Sequence, residues 1–201
     1  MNAVRPIARE QLPLDTLALA RFLLGKIVAR VWDEGSASGR IAETEAYLTG
    51  DEASHTFRGM TPRNRTMFSE RGHAYVYLAY GKSFMLNVSS GAEGTGEGVL
   101  IRALEPITGL DLMRRNRGEA PLRNLMRGPG RLAKALDIDR RLDGVDLCEE
   151  GPLWLGSDGY TVPKIGVSVR IGISRDALRP LRFFIAGSRF VSGTVALNAA
   201  H

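Results

Sequence analysis

Cysteine is almost missing from this chain. Cys148 is alone among 201 residues, which excludes an intramolecular disulfide, and one thiol with three histidines cannot assemble a cysteine-rich zinc site. Lysine is scarce too: Lys26, Lys82, Lys134 and Lys164 leave 23 arginines among the 27 basic residues. Long apolar runs are absent. None approaches the roughly 18 residues of a membrane-spanning helix. The N-terminus, with Glu10 and Asp15 around a short Leu-Pro-Leu, lacks a signal-peptide layout. These absences argue against metal chemistry and membrane insertion, and a cytosolic protein is expected.

What is present is a chain 44% hydrophobic and 24% charged, long enough to bury a substantial core as a single domain over residues 1–201. The net charge of +5 conceals its distribution. From Met113 to Arg141 nine basic residues face Glu119, Asp137 and Asp139, a local excess of six that exceeds the charge of the whole chain. Guanidinium groups bind phosphate bidentately and stack on planar groups, so the arginine bias favours an anionic, planar partner such as nucleic acid. A high-GC coding bias accounts for the same composition without any function.

An apolar stripe of Leu17, Leu19, Ala20, Leu23 and Leu24 predicts a helix from Asp15, its cap, to Leu24, with Gly25 ending it. A strand is expected over Lys26 to Trp32, then a polar turn over Glu34 to Gly39. Alternation over Arg40 to Tyr47 predicts a second strand with Ile41, Glu43, Glu45 and Tyr47 on one face. Thr49 to Arg71 reads as an irregular loop holding His55. Ala74 to Ala79 and Phe84 to Ser89 read as a hairpin with Tyr80-Gly81-Lys82 at its tip. A glycine-rich loop, Gly91 to Gly98, leads to a strand over Val99 to Leu104. Leu132 to Leu136 is expected to be helical, with later strands around Leu153, Val169 to Ile173 and Leu181 to Ile185.

Several of these segments carry chemistry. Cleaving an N-glycosidic bond needs a carboxylate to activate water near developing positive charge, and Glu43 or Glu45 has the right chemistry, although surface strands often carry glutamates for no such reason. Tyr75, Tyr77 and Tyr80 share one hairpin, two on one face and one at the tip, as a protein that stacks an extruded base would require; Tyr75 also suits core packing. Arg102 stands in an apolar strand, where a guanidinium needs a carboxylate or phosphate. Asn87 poses the same question more weakly, and an edge position would satisfy both. His55 alone is uninformative.

Together the segments resemble one family, the alkyladenine (3-methyladenine) DNA glycosylases of the mammalian and bacterial type. The resemblance runs in order from about Leu14 to Ser192. It rests on Arg40-Ile-Ala-Glu-Thr-Glu-Ala-Tyr47, Thr61-Pro-Arg-Asn-Arg65, Ala74-Tyr-Val-Tyr-Leu-Ala-Tyr-Gly81 and Leu100-Ile-Arg-Ala-Leu-Glu-Pro106, with support from Gly128-Pro-Gly-Arg-Leu132 and Pro180-Leu-Arg-Phe-Phe184. It implies a mixed α/β (α+β) single domain around a curved antiparallel sheet, with a protruding hairpin, flanking helices and no cofactor.

The resemblance further implies that Glu45 is the general base, with Arg102 and the backbone carbonyl at Ile171 helping to hold the attacking water. Tyr47, His55 and Tyr77 would form the base pocket, Asn87 would exclude guanine by crowding the purine 2-position, and Tyr80 would be the intercalating wedge. Lys82, Arg63, Arg65 and Arg131 are expected to contact DNA. The implied partner is double-stranded DNA containing damaged purines, bound by a monomer, cytoplasmic and nucleoid-associated in a bacterium or nuclear in a eukaryote. Lys82 and Ser83 follow the tip where family members often have bulkier groups. Three rivals stand beside this reading: a helix-hairpin-helix protein built on Arg127-Gly128-Pro129-Gly130-Arg131, a nonenzymatic nucleic-acid-binding domain, and a glycoside hydrolase using Glu43 and Glu45. The last is disfavoured, since residues i and i+2 of a strand do not straddle a sugar.

Overall fold

The computed structural model describes residues 3–199. Its strands are β1 (Arg5–Pro6), β2 (Ile27–Trp32), β3 (Gly35–Tyr47), β4 (Ala74–Ala79), β5 (Ser83–Ser90), β6 (Glu97–Thr108), β7 (Leu153–Ser157), β8 (Ile165–Ser168) and β9 (Arg182–Ile185). Helices α1 (Thr16–Phe22), α2 (Leu110–Arg117) and α3 (Pro129–Ala135) flank them. All nine strands form one antiparallel sheet, in the order β1-β7-β2-β3-β6-β5-β4, with β9 pairing β3 and β8 pairing β9. This is the mixed α/β architecture that the resemblance implies, and a sheet of this extent overturns the helix-hairpin-helix alternative.

The long central strand β3 organises the rest. It pairs with β6 from Ser38 to Tyr47, with β2 over its first half, and with β9 at Glu43, Thr44 and Glu45. The expected turn over Glu34 to Gly39 is not there, because β3 already begins at Gly35 and only Asp33 and Glu34 join it to β2. Small residues misled: a Cβ on Gly39 would lie 2.9 Å from that of Leu104, so this glycine marks close strand approach rather than a turn. A bulge between Ile41 and Glu43 also breaks the expected alternation. Ile41 joins the main core with Leu19 and Leu104, while Ala42 packs with Phe184, Phe190 and Val191. Glu43 and Glu45 remain on one side.

Helix α1 starts where its cap predicts, the Asp15 carboxylate accepting the Ala18 N–H at 2.7 Å, and the chain turns at Gly25 with φ of +78°. Its buried face meets β3, where the Thr44 hydroxyl donates to the Ala20 carbonyl at 2.8 Å. Helix α3 begins earlier than its apolar residues suggest, at Pro129, and packs on β5 and β6. The expected strand over Val169 to Ile173 is displaced to β8, and residues 169–173 are irregular. Helix α2 has no counterpart in the sequence reading, since only Met113 of its residues is buried and its charges obscure the period.

Gly109 precedes α2 at φ +72°, ψ +32°, and a Cβ there would lie 2.4 Å from the Ser36 carbonyl oxygen and 2.5 Å from the Ala37 Cβ. Gly187 has a similar φ of +80° with nothing within 4 Å. Gly187→Ala should cost about 1–2 kcal/mol from backbone conformation alone. Gly109→Ala should cost that and about 1–3 kcal/mol more from overpacking. Chemical denaturation of both checks this; equal losses would show that β3 does not press on the α2 entrance.

Candidate active site

Most of the residues picked out from the sequence meet at one cavity of about 480 Å³, whose lining does not include Glu45, between β3, the hairpin of β4 and β5, and the 169–173 segment. Tyr47, His55, Tyr77, Tyr80, Asn87, Arg102 and Ile171 all line it, with Arg63 and Tyr75. The aromatic wall is ordered by its own contacts. Tyr75 and Tyr77 stack at 5.3 Å with 27° between planes, and His55 meets Tyr77 edge-on at 4.3 Å. Tyr75 is fully buried, as core packing requires, yet its hydroxyl lies 3.0 Å from His55 Nδ1 and so orients the imidazole. Surrounding protein and then the Arg63 guanidinium hold His55 below its ordinary pKa, so it is neutral at pH 7.

Behind this wall lies a cluster of buried charge. Arg102, on β6, donates from Nε to Glu43 Oε1 at 2.8 Å and places Nη1 3.2 Å from Glu45 Oε2. The carboxylate expected beside the buried guanidinium is therefore a pair of carboxylates, held on an interior strand rather than an edge. Asn87 also sits on an interior strand and donates from Nδ2 to the Tyr75 carbonyl at 3.2 Å. Glu45 is 0% exposed. Its Oε1 accepts the Ile171 N–H at 2.7 Å and its Oε2 the Tyr47 hydroxyl at 3.0 Å. Ile171 thus contacts this carboxylate through its amide, a different group from the carbonyl expected to hold the attacking water.

Sequence reasoning missed Arg182. Fully buried on β9, it donates from Nε to Glu43 Oε1 at 2.6 Å, from Nη1 to Ser168 Oγ at 2.7 Å, and from Nη2 to the Ser192 carbonyl at 2.9 Å. The Ser192 N–H adds a bond to Glu43 Oε2 at 2.7 Å. The signal existed: Arg182 stands between Leu181 and Phe183-Phe184-Ile185, the same anomaly that singles out Arg102.

The two glutamates are consequently in different electrostatic states. Burial raises the Glu45 carboxyl above its ordinary range, and the Arg102 guanidinium, the Ile171 amide and the Tyr47 hydroxyl offset only part of that rise. Burial acts the same way on Glu43, but Arg102 and Arg182 together reverse it and hold that carboxyl below its ordinary range. Burial, reinforced by Glu45, also pushes the Tyr77 hydroxyl up to about 12, so it stays protonated at neutral pH. A carboxylate kept basic beside a cavity is the arrangement for taking a proton from water.

The remaining predicted residues are exposed. Tyr80 is 88% exposed at the hairpin tip and adopts φ of +50°, a conformation that non-glycine residues seldom hold. Arg63 donates to the Leu78 carbonyl at 3.3 Å with its guanidinium 5.9 Å from the Tyr77 ring centre. Lys82 and Arg131 line a neighbouring groove of about 690 Å³, which shares Met85 and Pro129 with the first. Arg65 is exposed on the short 3-10 turn Arg65–Phe68 and does not line the cavity.

Comparison with known proteins is consistent with this geometry. The family model for methylpurine-DNA glycosylase (MPG) matches residues 10–189. Three relatives carry the name "Putative 3-methyladenine DNA glycosylase". One, from Mesorhizobium japonicum, is 66% identical over 96% of this chain and 93% of its own length. Another, from Paraburkholderia phytofirmans, is 51% identical over 94% of this chain and 89% of its own. The third, from Methanoculleus marisnigri, is 47% identical over 89% and 94% respectively.

The opposite shifts of the two glutamates give opposite stability effects. Ionised Glu43 stabilises the fold above its unfolded pKa, and that contribution is lost as pH falls through its lowered folded value. Ionised Glu45 costs stability, and the cost is relieved as pH falls through its raised folded value. At pH 7, Glu43→Gln should therefore lose about 3–5 kcal/mol, because it leaves the buried Arg182 with no carboxylate partner and Arg102 with Glu45 alone. Glu45→Gln should melt at or above the wild-type temperature. Thermal melts check both, and an equal fall in the two variants would sink the distinction.

Proposed function

The chain belongs to the methylpurine-DNA glycosylase family, and on that premise we propose that it flips damaged purines out of duplex DNA and hydrolyses their bond to deoxyribose with water activated by Glu45. The observation that carries this reading is the pairing of one desolvated carboxylate with an aromatic cavity: Glu45 is bonded to Tyr47 and Ile171 and contacts Arg102, all three of which line that cavity. Water's oxygen bonds to the sugar's anomeric carbon while the electron pair of the N-glycosidic bond leaves with the purine. Glu45 takes the water's proton. The substrates are 3-methyladenine, 7-methylguanine, hypoxanthine and etheno-adenine, processed by a monomer.

Each lining group has a task in this reading. Tyr47, Tyr77 and His55 stack the extruded base, and their electron-rich faces favour cationic N-alkylated purines, which are also the better leaving groups. A protonated His55 would repel such a base, so its lowered pKa suits the task. Asn87, fixed by its bond to the Tyr75 carbonyl, is placed to crowd a 2-amino group. Tyr80 fills the gap left in the stack, offsetting an unstacking cost of a few kcal/mol. Lys82, Arg63, Arg65 and Arg131 contact phosphates.

Glu45→Gln should still bind lesion-containing duplex but release base roughly 10²–10⁴-fold more slowly, as alkali-labile abasic sites report. Undiminished release would remove Glu45 from the mechanism.

Tyr80→Ala should impair excision from a fully paired duplex more than from a bulged site, because a wedge matters most where unstacking costs most. Equal impairment in the two contexts would make Tyr80 a structural residue.

A glycosylase that also nicks DNA attacks the sugar with an amine; Lys82 and Lys134 line the groove beside the cavity, and Lys82 stands two residues after the tip tyrosine Tyr80. With water as nucleophile, borohydride added during turnover should trap no protein–DNA adduct. An adduct that disappears in Lys82→Ala would replace the hydrolytic mechanism with an imine one.

A further inference from the structure

Arg170 and Asp51 form a second ion pair, with both side chains fully buried. The Arg170 fork grips both carboxylate oxygens, Nη2 reaching Oδ1 at 2.9 Å and Nη1 bonding Oδ2, and Nη1 also donates to the Ala46 carbonyl at 3.1 Å. Burial alone would raise Asp51, but this fork reverses it and holds the carboxyl below its ordinary range. Such a pair is a poor source of stability, since desolvating two charges consumes most of their attraction. This one carries an added cost, because the buried Arg170 Nε has no hydrogen-bond partner among the described residues.

Its connections are what distinguish it. The Arg170 guanidinium lies 4.6 Å from the Tyr47 ring centre, against the aromatic that lines the cavity. The next residue is Ile171, whose N–H reaches Glu45. Asp51 Oδ1 accepts the Ala53 N–H at 3.0 Å, fixing the start of the turn that carries His55. One planar fork therefore touches the base clamp, the carboxylate's backbone donor and the histidine loop.

We propose that the Arg170–Asp51 pair is a positioning unit that locks Tyr47, the Ile171 amide and the His55 loop into one rigid piece, so that base clamp and carboxylate are set together. This rests on the roles given to Glu45 and Tyr47 above. Lysine cannot replace the arginine: an ammonium is a point charge without a fork or a flat face to stack. The fold supplies its own control. Arg40 grips Asp158 with bonds of 3.0 and 2.8 Å and stacks 4.2 Å from the Tyr160 ring, the same chemistry away from the cavity.

The test compares Arg170→Lys, Asp51→Asn and Arg40→Lys, each first melted and then measured below the lowest melting temperature. The Glu45 carboxyl is titrated in the free protein by carbon NMR, and single-turnover base release from a 7-methylguanine duplex is followed across pH. In Arg170→Lys and Asp51→Asn the Glu45 midpoint should rise, because the Ile171 N–H that lowers it is released. The acid limb of activity should rise with it, and release should slow on the order of 10²-fold for a misplacement of about 1 Å. Arg40→Lys should move neither, whatever it does to the melt. Should Arg170→Lys fail to fold, Asp51→Asn decides. An unmoved Glu45 midpoint, or an equal move in Arg40→Lys, would overturn the proposal. A midpoint that moves in these variants, with a wild-type protein that releases no base, would instead overturn the glycosylase mechanism and leave the positioning intact.

Discussion

The structure depends on the way two arginines are shared between two buried glutamates. Glu43 holds Arg102 on one side and Arg182 on the other, and Arg102 alone extends to Glu45. Removing Glu43 leaves Arg182 without a carboxylate in the interior, a penalty larger than the worth of the pair. The network therefore fixes the geometry of β3, β6 and β9 where they meet. It also divides the two acids. Glu43, doubly paired, is an anchor, while Glu45, singly paired, is the carboxylate left with basicity to spend.

Regular strands cannot supply what these carboxylates need, because their amides are used in the ladder. The irregular segments do. The Ile171 N–H serves Glu45 and the Ser192 N–H serves Glu43, each from chain that lies outside the described strands. Residues 169–173 are apolar enough to suggest a strand, yet the Ile171 amide is engaged by Glu45 rather than by a ladder neighbour.

Much of the fold was legible where local chemistry and tertiary demand agree. Asp15 before an apolar stripe gave α1 to within two residues, and Tyr80-Gly81-Lys82 between alternating segments gave the hairpin tip. The site was legible in part for the same reason: a guanidinium among apolar residues announces a buried partner, which proved to be Glu43 and Glu45. Arg182 obeyed the same rule and was still missed, because it sits in a short strand whose burial is set by β3 and β8 rather than by its own pattern. Asp51 gave no signal at all. An aspartate in a polar loop looks solvated until the distant Arg170 closes on it. Bulges erased another inference, since one extra residue at Ala42 sends Ile41 to the opposite side from Glu43.

The features assigned to function are the ones that the fold holds at a cost. Burial raises the Glu45 carboxyl against ionisation, Arg170 buries an Nε with no partner among the described residues, and Tyr80 exposes a large ring on a strained backbone. Each would be removed by selection for stability alone. What lets them persist is redundancy elsewhere. Tyr80 is flanked by a six-residue register between β4 and β5, Glu45 by ladders on both sides of β3, and both strands rest on one apolar core. The costs thus fall on single side chains at the cavity, while the restraints that tolerate them are spread over the sheet. A rigid sheet carrying a strained rim keeps the local costs from spreading into the scaffold.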